Sequence, residues 1–230
     1  MDSNPAIRNN TRAGVSGARK ITTTAMLCAV AYIAMLIGQL IPPVMFLSYD
    51  PKDVIVVIGG FIYGPVTALI VSAIVSLVEM FTVSSTGIYG CIMNIVSTCS
   101  FAVPAALVYK KYHTMKGAIA GLGVGILGVA AMMCLWNYII TPIYMGQPRE
   151  VVAAMIPTLF LPFNLVKGTI NAGITLLLYK PIVTALRKAN LVEASTGGKG
   201  SGKMSTGVLL LGAALVITGT LLIMVLMGVL

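Results

Sequence analysis

Basic residues crowd the chain up to Lys20 and return at Lys110 and Lys111, and what lies between them is one apolar run after another. Runs of this length read as membrane crossings, and the basic residues beside their ends mark the cytoplasmic side. The chain must therefore cross an even number of times between the two anchors. Three runs stand out there, at residues 21–41, 54–81 and 88–109, and three crossings would leave Lys110 outside. Gly64-Pro65 resolves the conflict by punctuating the middle run. Splitting it predicts a short second helix over 52–63 and a third over 65–81. At 1.5 Å per residue the second rises only about 18 Å, against a hydrocarbon core of about 30 Å, so it must be tilted or shielded by protein.

Further runs at 88–109, 117–140 and 152–186 complete six helices. The predicted fold is an all-α integral membrane protein, multi-pass in the cell membrane, with a cytoplasmic N-terminal tail over 1–20 and a six-helix core over 21–188. A flexible linker follows over 189–203. The segment 204–230 is a seventh apolar stretch, long enough to span at 208–230. Composition excludes a soluble domain: 58% of residues are hydrophobic and 9% charged, with a mean hydropathy of +0.98. The run from Ile21 is too long for the core of a cleaved signal. A net charge of +9 could suggest nucleic acid, but its residues sit beside helix ends. Arg8, Arg12, Arg19, Lys20, Lys116, Lys180, Arg187 and Lys188 all follow the positive-inside pattern.

Polar residues inside the apolar runs are the functional signal. Asn164, Lys167 and Asn171 recur at i, i+3 and i+7 and so share one helix face. A lysine at membrane depth costs roughly 2.5–3.5 kcal/mol on insertion scales, so that face turns to a partner, a cavity or a substrate. Counted from the basic anchors, Lys167 and Asn137 lie about 30 Å from the inner surface, with Glu79 and Asn94 a little deeper. Above them runs the loop 42–53, whose Phe46, Leu47 and Tyr49 can form an apolar lid. An outward-facing pocket is predicted. Asparagine amides both donate and accept, as needed to read a heteroaromatic edge of carbonyls and ring nitrogens, and Lys167 adds a cationic donor. With Glu79 the only carboxylate expected in the membrane, a neutral bicyclic or tricyclic ligand fits better than a strong cation. The competing interpretation of the polar face is glue between helices.

Other features point away from catalysis. No nucleophile–base pair, paired acids or metal cluster falls in the apolar region, so neither an enzyme nor a cofactor is predicted. Cys28, Cys91, Cys99 and Cys134 lack metal or disulfide spacing and read as small core residues. Residues 197–204 approach a phosphate-binding loop, but Met204 stands where a Ser or Thr would hold magnesium, and no strand precedes it. Gly117, Gly121, Gly123, Gly125 and Gly128 form a packing face within an apolar helix. His113, alone in a basic loop, reads as solvated. A self-sufficient secondary transporter would show two related halves around a midplane site, and no repeat is visible. Ala25 and Ala29 stand at i and i+4, which lets another helix approach closely.

Several segments together carry a family resemblance. They are Tyr49-Asp50-Pro51-Lys52-Asp53-Val54, Gly59-Gly60-Phe61-Ile62-Tyr63-Gly64-Pro65, Thr86-Gly87, Asn94, Pro104-Ala105-Ala106-Leu107-Val108-Tyr109-Lys110, Asn137-Tyr138 with Thr141-Pro142-Ile143-Tyr144, and Pro162-Phe163-Asn164-Leu165-Val166-Lys167-Gly168. The chain resembles the riboflavin-specific substrate-binding subunits, or S components, of energy-coupling factor (ECF) transporters over about residues 20–188. The resemblance implies a subunit that captures riboflavin from outside and works with a membrane coupling subunit and two cytoplasmic ATPases. It implies that Phe46, Leu47 and Tyr49 cover the ligand, that Asn137, Asn164 and Lys167 contact the polar edge of its ring, and that Ala25 and Ala29 dock the coupling subunit. Asn94 follows by motif, and Asn171 by its place on the helical face. The segment after residue 188 departs from the six-helix pattern.

Overall fold

A computed structural model describes residues 5–45, 47–189, 191 and 205–226. Among these residues the secondary structure is helical throughout, joined by short turns. Helix α1, Pro5–Gly38, carries a membrane-length apolar part over Gly17–Gly38. Gly38 ends it where the chain folds back: a Cβ there would run into Pro51 and the Tyr49 carbonyl. The following loop is thereby held close over the end of the helix.

Helix α2, Lys52–Tyr63, and α3, Pro65–Thr82, meet at Gly64, whose φ of 96° suits only glycine, and Pro65 opens α3 at a position where its missing N–H is harmless. Ten of the twelve α2 residues are buried. The helix too short to span is therefore shielded by protein: it fills the centre of the bundle, wrapped by α1, α3, α4 and α8.

Helix α4, Gly87–Tyr112, packs closely along α5, Met115–Ile139. The contact is set by Gly121, Gly125 and Gly128, where a Cβ would strike the carbonyls of Ala105, Phe101 and Ser100. Gly123 faces open space, so the glycine face is narrower than its sequence suggests.

Beyond α5 come two short helices, α6 (Thr141–Met145) and α7 (Arg149–Met155). A π-helical turn, Ile156–Phe160, then leads into α8, Leu161–Lys188. The single helix predicted over 152–186 is thus composite. Pro162 explains the wide turn: it cannot donate to the carbonyl four residues back, and its ring would crowd that oxygen. Helix α9, Thr206–Leu226, lies along α8.

The main core gathers Leu27, Val57, Val71, Phe101, Leu122 and Leu176 from α1, α2, α3, α4, α5 and α8. A second cluster, Val44, Leu47, Val152, Leu159, Phe160 and Phe163, sits under the loop between α1 and α2. Outward faces carry exposed Ile33, Ile37, Leu69, Leu107, Leu127 and Leu210. In water such a surface would be an aggregation liability; in a bilayer it is the solvated face. At the end of the bundle opposite the loop, Phe61 stacks on Tyr109, and the Tyr109 and Tyr179 hydroxyls share a 2.7 Å hydrogen bond. There too the Tyr63 and Thr23 hydroxyls both donate to the Leu191 carbonyl, tying α1 and α2 to the end of α8.

Candidate functional site

A cavity of about 380 Å³ opens beneath the loop, a size suited to a drug-sized ligand. Leu47, Ser48, Tyr49 and Asp50 line it from the loop, Met35 from α1 and Glu79 from α3. Ser84, Ser85 and Thr86 contribute from the α3–α4 turn, Met93, Asn94 and Ser97 from α4, Met133 from α5, and Phe163, Asn164 and Lys167 from α8.

Asn164 and Lys167 form the wall on α8. One amide hydrogen of Asn164 goes to the Phe160 carbonyl at 2.7 Å, which fixes the side chain against the π-helical turn. Its Oδ1 makes no hydrogen bond among the described residues. The Lys167 ammonium stands 3.4 Å from Asp53 Oδ2 and 3.5 Å from Ser97 Oγ. Three ammonium hydrogens serve only these two loose contacts, which leaves capacity for a ligand oxygen.

Two of the predicted residues are engaged elsewhere. Asn171 shares the face of Lys167 but lies one turn further from the mouth and does not line the cavity. It accepts from the Tyr49 hydroxyl at 2.7 Å and donates to the Asp50 carbonyl and to Asp53 Oδ2, each at 3.2 Å. It is a clamp on the loop. Asn137 is buried and turned onto its own helix, donating to the Met133 carbonyl and accepting from the Thr141 hydroxyl, each at 2.7 Å. Its i−4 and i+4 neighbours use its amide, while Met133, one turn earlier, reaches the cavity. Phe46 lies outside the described residues. Leu47 is held by reciprocal backbone hydrogen bonds with Val44, each 2.9 Å, and packs on Phe160 and Phe163.

The expectation of a lone carboxylate, Glu79, is corrected: Asp50 and Asp53 join it. Lys52, wholly buried, bridges Asp50 Oδ2 at 2.5 Å and Glu79 Oε2 at 2.7 Å. Glu79 Oε1 accepts from Asn94 at 2.9 Å. Asp53 Oδ1 accepts from Thr98 at 2.6 Å, with Lys167 and Asn171 at its other oxygen. Two ammonium groups thus face three carboxylates, and Asp50, Glu79 and Lys167 of this cluster are part of the cavity wall. A signal for this was available: a twelve-residue helix whose Tyr63 sits at the basic end cannot lift Lys52 and Asp53 to the far surface. Asp53 also gains from its place in the first turn of α2, where the helix dipole favours an anion.

The family model for the ECF transporter, substrate-specific component, matches residues 19–182. The chain belongs to this family. A riboflavin transporter of Bacillus subtilis (strain 168), FmnP, is 27% identical over 186 residues, covering 75% of this chain and 98% of the relative. The riboflavin transporter RibU of Staphylococcus aureus (strain TCH60) is 25% identical over 179 residues, 74% of this chain and 93% of the relative. A solved S component of a bacterial ECF transporter superposes with a TM-score of 0.62 at 25% identity, over 74% of this chain and 99% of that one. In this S component, Ala25 and Ala29 are exposed on α1, while Leu27 and Ala31 on the opposite face are buried in the core. The small-residue face is thus free for another helix.

Proposed function

We propose that the chain is the riboflavin-binding subunit of an ECF transporter. The observation that carries this reading is the cavity under the loop, walled by Asn164 and Lys167 on α8, in a chain similar over nearly the full length of two proteins named riboflavin transporters. The α8 wall supplies an amide acceptor for the imide N–H of the isoalloxazine edge and a cationic donor for its carbonyl oxygens. Leu47, Met35, Met133 and Phe163 supply its apolar bed. Asn94 lies one turn nearer the mouth than Ser97, and Ser84, Ser85 and Thr86 lie beyond it. The ribityl hydroxyls would meet this polar shelf.

The basic ends, Lys110 to Lys116 and Arg187 to Lys188, lie opposite the loop, and on the positive-inside rule they and the N-terminus would face the cytoplasm and the cavity would open outward. The subunit would work with a membrane coupling protein docking at Ala25 and Ala29 and with two ATPases beneath it. The deciding experiment is titration of riboflavin into the purified, detergent-solubilised chain, read by quenching of flavin fluorescence. Tight, saturable binding without ATPases is expected. A folded sample that leaves the fluorescence unchanged would overturn the flavin assignment and turn the search to other heteroaromatic vitamins.

A further inference from the structure

Helix α9 lies beyond the family match, which ends at residue 182, yet it packs closely along α8. Glycines line the seam on both sides. A Cβ at Gly173 of α8 would strike the Gly212 carbonyl, Leu215 and Val216, and one at Gly212 would strike Leu177 and the Gly173 carbonyl. Further along, a Cβ at Gly219 would collide with Ile170. Such close approach is how helices gain packing energy in a bilayer, where lipid already solvates their apolar faces. Val208 and Leu215 pack against the main core, and Ile223, near the end of α9, packs against the second cluster.

That second cluster ties three parts of the site together. It contains Leu47 of the loop, Phe163 of the cavity wall and Phe160 of the π-helical turn, whose carbonyl holds the Asn164 amide. A π-helical turn is a weak point in a helix, and this one lies beside the residues that face the cavity. We propose that α9 is a positioning helix for the binding site: through the glycine seam and Ile223 it keeps the π-helical turn and the Leu47 cluster in their closed packing, and so slows the departure of bound ligand. The proposal rests on the riboflavin-binding reading for its ligand, but its structural core does not.

The test compares riboflavin dissociation rates from the full-length chain and from Ile223→Ala, Gly219→Leu and Leu222→Ala. Leu222 is exposed on the outer face of α9 and serves as the control. Ile223→Ala is expected to raise the dissociation rate roughly three- to tenfold, with the association rate within about twofold. Gly219→Leu should do more, and Leu222→Ala should behave as wild type. Should Gly219→Leu fail to fold, Ile223→Ala, which leaves the seam intact, decides. Wild-type dissociation from Ile223→Ala would reduce α9 to an anchor. Hydrogen exchange at the Val44 and Leu47 amides of the ligand-free chain supplies an arm without flavin. Faster exchange in Ile223→Ala supports the brace even if riboflavin does not bind, and unchanged exchange overturns it.

Discussion

Lys52 shows what a single residue can demand of a membrane protein. Its ammonium is wholly buried, and Asp50 and Glu79 hold it from two different elements. Removing one partner of a buried pair leaves an uncompensated charge, which costs about 3–5 kcal/mol. Lys52→Met should therefore lower the thermal unfolding midpoint in detergent sharply, whether or not ligand is present. Lys167 is different, because Asp53 keeps Thr98 and Asn171 when the lysine is removed. Lys167→Ala and Asn164→Ala should keep their helical circular dichroism and bind riboflavin about ten- to a hundredfold more weakly, the loss of one hydrogen bond involving a charged or well-placed polar group. Wild-type affinity in both variants would count against the α8 wall. The lysine and the two asparagines of α8 were legible from spacing alone, since polar residues at i, i+3 and i+7 must share a face. What each one touches was not legible: Asn171 is used by Tyr49, Asp50 and Asp53, which only folding brings near, while Asn137 is taken up by its own helix neighbours Met133 and Thr141.

At the scale of elements, the loop over the cavity is held by three devices: Gly38 beneath it, the Val44–Leu47 backbone pair, and the Tyr49 hydroxyl on Asn171. Tyr49→Phe deletes the last of these at a net cost of about 1 kcal/mol, so riboflavin should dissociate about fivefold faster with little change in stability. Stopped-flow release reads this directly. The α4–α5 pair depends on backbone contact at Gly125. Gly125→Leu should force the helices apart and cost about 1–3 kcal/mol or more, measured as a lower unfolding midpoint. Both elements and the Gly64-Pro65 break were legible in sequence, because Gly and Pro act locally. The π-helical turn was not, although Pro157 lies within it and Pro162 just beyond it, since prolines announce a distortion without saying which kind.

At the scale of the whole molecule, the cavity and the Ala25–Ala29 face are separate surfaces. Ala25→Leu with Ala29→Leu should bind riboflavin as wild type does but fail in uptake when produced with the coupling subunit and ATPases. Loss of binding in that variant would contradict the division. Apolar run length, basic anchors and one Gly-Pro break were enough to determine the long helices and the membrane class, because a bilayer imposes a fixed thickness and backbone hydrogen bonds must close within each helix; the short α6 and α7 escaped this reading. Tertiary structure alone decided that α2 is the buried centre, that Asp50, Lys52 and Asp53 descend into the charge cluster, and that α9 packs on α8. Those outcomes depend on which faces meet, and a periodicity shows that a face exists without naming its partner.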